Sequence, residues 1–482
     1  VDRVRLAAVV AGLIYIYIPY HLVGIYVRAA LNDTLLLAWF PWVLLAFDRL
    51  IGQGVTSGWT RRLAVTMLVL AGALLTHTFA LISFAPLLVT FVLFRLGLAW
   101  AEQSDRRRWG PFVKRTALAA AAGIGALLLY AVFLLPLLVE GQHLQQQVYV
   151  TDTYNFRNHF VYLSQFFSPF WGFGFSDDSI GANDGMSFQL GAMAMIILIT
   201  AIFVLVESRR ETLARRGHAI YFAVATVILL FLMTPFSASI WEAVPALGII
   251  QFPWRLLALA ILTVSVLAGL LVANLLTMQP YASGEYSGAF VLALLIIFAG
   301  AGYIGAEMQP VEAWREDGRA DFRFEREHPD MIAYTEWVQE PFTETPMTAD
   351  YSADDYSDDR GRTDRLTRLA IIEGSGEIIS QHSAGSSGGG ALRMETPGVV
   401  RIHFFNFPGW QVQLDGEVVE HRVSNPTGAI EIDVPAGEHT INARMGSTPA
   451  RRAGAIISWT MLLLVIGLLL WPSLENRKKS KK

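Results

Sequence analysis

The chain is 482 residues long, 53% hydrophobic and 16% charged, with a mean hydropathy of +0.42, the balance of a polytopic membrane protein. Its net charge of −4 averages a basic membrane portion with an acidic external segment, and so carries no argument for a nucleic-acid partner. Cysteine is absent, which excludes disulfides, thiolate nucleophiles and cysteine zinc sites.

Apolar runs lie near 5–20, 35–51, 62–77, 79–97, 116–139, 189–207, 217–235, 253–275, 287–306 and 453–471. They predict a polytopic α-helical membrane bundle of about ten transmembrane helices, because a helix crosses the hydrocarbon with roughly 20 residues. The first run follows Val-Asp-Arg-Val-Arg without a small-residue cleavage site and reads as a span, not a removable signal. The polar Thr76-His77-Thr78 predicts a tight turn between two short helices. Lysine and arginine cluster in alternate connections: Arg61-Arg62, Arg106 to Arg108 with Lys114-Arg115, and Arg209-Arg210 with Arg215-Arg216. Arg3, Arg5 and the tail Arg477 to Lys482 join them, whereas the other short connections hold little beyond Arg28 and Arg157. Basic loops stay in the cytoplasm, so both termini are expected inside the cytoplasmic (inner) membrane and every long polar segment outside, away from ATP.

Four polar segments face that outer side: Tyr20 to Thr34, Glu140 to Phe188, Pro235 to Gln251 and Glu307 to about Arg451. Within the last, Met331 to Val338 has helical potential, and residues 345–364 form an acidic linker whose spacing does not match an EF-hand loop. From Leu366 the text RLAIIEG, EIISQHS, ALRMET, VVRIHFF, WQVQLDG, AIEIDV and HTINARM alternates between turn residues, which predicts an extracytoplasmic antiparallel β-sandwich before the last helix. The Ser/Gly tract Ser383 to Gly390 reads as a flexible hairpin tip. The expected domains are a bundle over 1–306 with outer loop 140–188, a connector over 307–365, the sandwich over 366–450, and a final helix with basic tail over 451–482.

A charged group at the hydrocarbon boundary is expensive and calls for a reason. Arg28, Asn32 and Asp33 end the first outer segment, and Arg28 and Asn32 share a face if the stretch is helical; the group either holds a phosphate and a sugar hydroxyl or forms a surface ion pair. His77 sits at a hairpin tip, where it can donate to a phosphate or cap a helix. The third group has Tyr154, Arg157 and His159 followed by FFSPFWGFGFSDDSIGANDGMSFQLG. Trp171 and its aromatic neighbours, with Asp177, Asp178, Asp184 and Gln189, suit a sugar ring, whose faces are apolar and whose edge is hydroxylated; a membrane belt also uses such aromatics. The fourth is Gln251-Phe252-Pro253-Trp254-Arg255, where proline starts a helix and arginine can hold a phosphate or snorkel to headgroups. No nucleotide loop, metal-ligand spacing or Ser-His-Asp pattern is visible, which argues against hydrolases and ATP-driven pumps.

The blocks WGFGFSDDSIGANDGMSFQLG and QFPWR resemble a bacterial and archaeal membrane family labelled 6-pyruvoyl-tetrahydropterin synthase-related, a label that says nothing of pterin chemistry. FNFPGWQVQLDGEVVEHRVSN with VPAGEHTINARM before a span is similar to the ends of membrane proteins of the GT-C glycosyltransferase superfamily, and YVRAALNDTLLLAWFPWVLLAFDRL looks like a segment after their early spans. The resemblance implies a transferase that uses a polyprenyl-phosphate sugar at the outer face, with a base or metal ligand from the first long outer loop. This chain departs from it: Asp33 is the sole acid of its short first outer loop, and there is no Asp-x-Asp. The catalytic loop then lies in a preceding stretch, or another subunit supplies the base, or this member does not catalyse transfer.

The first functional expectation is accordingly a lipid-linked-sugar glycosyltransferase. Arg28 and Arg255, with His77, Arg157, His159 and Trp254, would bind phosphate and substrate. The 140–188 loop would seat the sugar, Asp33 or Asp184 would act as base, and the sandwich would orient a glycan or protein acceptor. No cofactor is identified; a divalent metal stays open. The second is a non-catalytic membrane subunit of a surface-polysaccharide or envelope assembly complex, with partner subunits. A transporter is the third, although neither inverted repeats nor mid-span ionisable groups stand out.

Overall fold

A computed structural model describes residues 2–103, 107–150, 152–176, 184–207, 213–278, 285–306, 333–339 and 368–479; the acidic linker lies outside them. The chain divides into two compact units, Val1–Ala131 with Asn155–Met308 and Ile457–Lys482, and Val132–Tyr154 with Gln309–Ile456.

The helices are α1 (Asp2–Tyr17), α2 (Leu31–Gln53), α3 (Trp59–Thr76), α4 (Ala85–Ala101), α5 (Trp109–Leu129), α6 (Ala131–Glu140), α7 (Ala192–Glu207), α8 (Leu213–Leu232), α9 (Leu257–Met278), α10 (Glu285–Ala301) and α11 (Pro449–Lys479). Every predicted apolar run falls on a helix. Among the described residues 6 helices are long and apolar enough to cross a membrane alone, and counting each of two bent pairs as one span raises the number to 8. Shorter apolar helices at Ala192–Ala201 and Phe290–Ala301 occupy the remaining predicted positions. Both bends are proline effects. Ile18 before Pro19 and Thr234 before Pro235 are extended, because a proline ring disfavours helical backbone in the residue before it. The chain turns by 51° at the first and 89° at the second.

α9 is the core of the first unit: 72% of its span is buried, against 17% for the span of α11. α1 and α8 pack on α9, while α3 packs on α2 and α5. Lipid offers the backbone no hydrogen bonds, which is why apolar sequence of this length settles as helix.

The second unit carries two antiparallel sheets. Its strands are β1 (Leu369–Glu373), β2 (Gly376–Ala384), β3 (Ser387–Met394), β4 (Gly398–Phe405), β5 (Trp410–Leu414), β6 (Glu417–Val419), β7 (Arg422–Val423), β8 (Ala429–Val434) and β9 (Gly437–Met445). The sheet orders are β1-β4-β8-β7 and β2-β3-β9-β5-β6. Leu392, Val400, Ile402, Val412, Ile430 and Ile441 fill the space between them, all fully buried. Asp415-Gly416, both at positive φ, closes the β5–β6 hairpin, as the Asp-Gly pair favours.

Two expectations are corrected here. The Ser/Gly tract does hold the β2–β3 hairpin turn, at Gly385-Ser386, but most of it is strand: Ser383 and Ala384 end β2, and Ser387 to Gly390 belong to β3, paired with β2 on one side and β9 on the other. Pairing on both edges outweighs the local loop tendency, and the missing side chain at Gly388 leaves room for the Phe404 ring. Residues 333–339 are not helical either. Thr335 bridges Leu144, with Gln145 N–H donating to the Tyr334 carbonyl and Glu336 N–H to that of His143, both at 2.9 Å. Pairing with a distant segment has overridden the local propensity.

A buried carboxylate ties this unit together. Glu140, 5% exposed at the end of α6, takes Arg451 Nε at 3.0 Å and Nη2 at 2.8 Å on one oxygen and the Thr448 hydroxyl on the other. Arg451 also donates to the Gly446 and Pro408 carbonyls. Glu140→Ala therefore leaves a guanidinium without its carboxylate and should cost about 3–5 kcal/mol. Thermal unfolding with hydrogen exchange at Gly446 to Arg452 checks this. The exposed Glu242, paired with Arg157, is the control, with an expected loss of about 0–1 kcal/mol on Glu242→Ala.

Candidate functional site

The first unit brings Arg28, Asp33, His77 and Arg255 to one end of the bundle. After the Pro19 bend a π-helical turn over Val23–Val27 delivers Arg28, and Ala29 at φ +48° breaks the helix before α2 begins at Leu31. Arg28 and Asn32 therefore do not share a helical face, which corrects that expectation. Asp33 instead lies in the first turn of α2, where the helix dipole favours a carboxylate, and Arg28 Nη2 meets its Oδ2 at 2.7 Å.

The Gln251 to Arg255 block forms the opposite wall. Gln251 sits at φ +66°, and a 3₁₀ turn over Pro253–Leu256 leads into α9. The rings of Phe252 and Trp254 stack at 5.1 Å. The Arg28 guanidinium lies 4.7 Å over Trp254 and that of Arg255 4.9 Å over Phe252, within cation–π range. Arg255 Nη1 also donates to the Ile250 carbonyl and Gln251 Oε1, each at 3.2 Å.

Between these walls lies a cavity of about 10 Å³ bounded by Tyr20, Arg28, Asp33, Thr34, Phe79 and Arg255. It holds roughly one water and no larger group as it stands. Asp33 Oδ1 and Thr34 Oγ1 are buried without a hydrogen bond, so a polar atom entering here finds an acceptor and a hydroxyl ready.

His77 follows α3 in extended conformation. Its Nδ1 accepts the Phe79 N–H at 2.9 Å, so the proton of the neutral ring is on Nε2, which faces Asp33 Oδ1 at 3.6 Å. That distance is too long for a hydrogen bond and leaves the Nε2–H open to another acceptor. Burial first, then Arg255 and Arg28, push the His77 pKa down, and Asp33 acts the other way.

The other expected residues lie apart from this cavity. Arg157 makes an exposed ion pair with Glu242 at 2.9 Å. His159 is buried, with Nδ1 2.9 Å from Ser176 Oγ, and Ser176 accepts the Trp254 indole N–H at 3.1 Å. Asp184 is also buried, accepting the Gly185 N–H at 2.6 Å and facing Gln165 Nε2 at 3.4 Å, so it braces its own loop. The glycine after it has no space for a side chain, since a Cβ would stand 1.9 Å from the Phe175 carbonyl. Asp177 and Asp178 lie outside the described residues. Trp171 packs on Tyr303 at 4.8 Å, and the Tyr303 hydroxyl donates to Gln189 Oε1 at 3.2 Å. Gln189 and Tyr303 border a second, apolar cavity of about 280 Å³, lined also by Ile14, Phe167, Met193 and Ile296.

Tyr20, Thr34 and Phe79 were not expected in the site, nor was Ser176 as the partner of Trp254 beside it. Thr34 is adjacent to Asp33 and Tyr20 follows the Ile-Pro break, but no pattern marks Ser176. A second charged cluster was also missed. Arg95, 8% exposed on α4, meets Asp48 of α2 at 2.5 Å, with His218 of α8 at 3.7 Å. Asp48 lies about 22 Å along α2 from Asp33 at 1.5 Å per residue. Fully buried Phe40, stacked on Phe84, stands about halfway between them on this helix. Among those residues no group of 3 or more His, Asp and Glu could hold a metal ion.

Fold and site together define a polytopic membrane protein with a charged cavity at one end of its bundle and a two-sheet domain before its last helix. The family described as 6-pyruvoyl-tetrahydropterin synthase related domain, membrane protein, matches residues 1–309, and the chain belongs to it. The match covers the whole cavity and stops short of the sheets. No curated protein and no solved structure matches the chain.

His77 should titrate below the ordinary histidine value of about 6.5. In Arg28→Ala a cation is lost and Asp33 is freed to attract the imidazolium, so the midpoint should rise. Because folding depresses this pKa, the neutral ring's contribution to stability is present above the unfolded value and lost as pH falls through the folded one. A histidine NMR titration of both proteins reads the shift; an unchanged midpoint in the variant would remove the electrostatic link.

Proposed function

We propose that this protein is a membrane glycosyltransferase of GT-C-like mechanism, moving a sugar from a polyprenyl-phosphate donor to an acceptor. By the basic-loop pattern, the reaction occurs on the outer face of the cytoplasmic membrane. The observation that carries the reading is the convergence of Arg28, Asp33 and Arg255 on one cavity. Arginine pairs with phosphate oxygens in a planar fork, and a carboxylate alongside can take a proton.

The ion pair gives the mechanism its order. With no donor, Arg28 holds Asp33 and the cavity is closed. A donor phosphate seated between Arg28 and Arg255 competes with Asp33 for Arg28 and releases the carboxylate. Asp33 then accepts the proton of the acceptor hydroxyl, whose oxygen bonds to the anomeric carbon. The bond from that carbon to the phosphate oxygen breaks, and the added charge on the departing polyprenyl phosphate is held by both arginines. The His77 Nε2–H is a further donor to the phosphate. The 280 Å³ apolar cavity beside Gln189 and Tyr303 suits part of the isoprenoid chain.

One observation favours a second reading, a non-catalytic subunit of an envelope assembly complex. The Arg28–Asp33 pair is complete and the cavity is too small for a phosphate. Under that reading Asp33→Asn supports assembly as well as the native chain does. Under the transferase reading Asp33→Asn lowers kcat by about 100-fold or more, and Arg255→Ala abolishes transfer from a polyprenyl-phosphate sugar while the protein stays folded. Normal transfer by Arg255→Ala would remove the phosphate assignment.

A further inference from the structure

The second unit contains an open groove of about 500 Å³ whose lining includes Glu140, Gln142, His143, Trp410, Gln411 and Thr448. We propose that this groove binds a neutral carbohydrate. Its position is set by the helix below it: Pro449 and Ala450 form part of its wall and also begin the span Pro449–Trp471. The groove therefore adjoins the first turn of the helix that carries that span.

Its chemistry selects the ligand class. Trp410 opens β5 with one face stacked on Phe404 at 4.4 Å, so it is a rigid aromatic wall anchored in the sheet core. His143 is equally fixed, parallel to Trp337 at 5.3 Å and held through Nδ1 by Glu336 at 2.5 Å, which leaves Nε2 as its nitrogen for a ligand. Gln142 and Gln411 are exposed and offer amide donors and acceptors together. Sugar hydroxyls also both donate and accept, and the apolar face of a pyranose suits an indole.

An anionic headgroup fits less well. Among the described residues no lysine or arginine is part of the lining; the bordering Arg451 is taken up by Glu140 and the Pro408 carbonyl. Glu140, the carboxylate of the described lining, is engaged by Arg451 and Thr448. What remains is aromatic surface with uncharged polar groups. The inference rests on the transferase reading only in assigning this groove to the acceptor; binding itself requires neither donor nor transfer.

The test uses full-length protein in nanodiscs with maltotetraose, mannotetraose and chitotetraose as probes, followed by saturation-transfer-difference NMR. At least one probe should bind saturably. Gln411→Ala and Gln142→Ala, at exposed positions that leave the core intact, should each weaken it about fivefold, the equivalent of one hydrogen bond. Trp410→Ala should abolish it, and Arg28→Ala should leave it unchanged. No saturable binding by any probe, or binding indifferent to both glutamine substitutions, overturns the proposal. Saccharide binding without transfer by the native chain would instead count against the transferase reading alone.

Discussion

Ionised groups beside a hydrocarbon slab must find partners, and the Arg28–Asp33 pair is how this chain meets that constraint at one end of its bundle. Desolvating a carboxylate and a guanidinium costs several kcal/mol each unless geometry and further contacts offset it. Here the offset comes from a 2.7 Å contact, the dipole of α2 and the Trp254 face under the guanidinium. That arrangement depends on both proline bends and on the break at Ala29, because they swing the connecting segments over the helix ends.

The same constraint recurs where chemistry is not implied. Arg95 with Asp48, and Glu140 with Arg451, join different segments through a charge pair with one buried member. The Arg28 cavity adds to such a pair a small space with unsatisfied polar atoms on its wall. Asp33 Oδ1 and Thr34 Oγ1 lack hydrogen bonds, and a second arginine faces the same space. Under the proposed transfer, those atoms would serve the exchange of a carboxylate for a phosphate.

Much of the architecture was legible because the bilayer and the sheet each impose a simple period. Apolar runs located every span, and alternation located seven of the strands. β6 and β7 escaped because strands of 3 and 2 residues carry no pattern. Residues 333–339 were misread because their pairing partner, Leu144, is distant in the chain. Within the site, boundary position singled out Arg28, Asp33, His77, Trp254 and Arg255. An ion pair of Arg28 with Asp33 was one of the readings open to the sequence, but the backbone break that forms it, one alanine at positive φ, was not legible. Arg157 and Asp184 look alike in sequence, yet the first is an exposed surface partner and the second an internal brace.

The account turns on whether a polyprenyl phosphate opens the Arg28 cavity. The most direct measurement is cryo-electron microscopy of the protein in nanodiscs doped with undecaprenyl phosphate. Phosphate density should appear within hydrogen-bonding distance of Arg28 and Arg255, with Asp33 released from Arg28. A lipid-saturated map in which the cavity stays closed and the pair stays intact would contradict it.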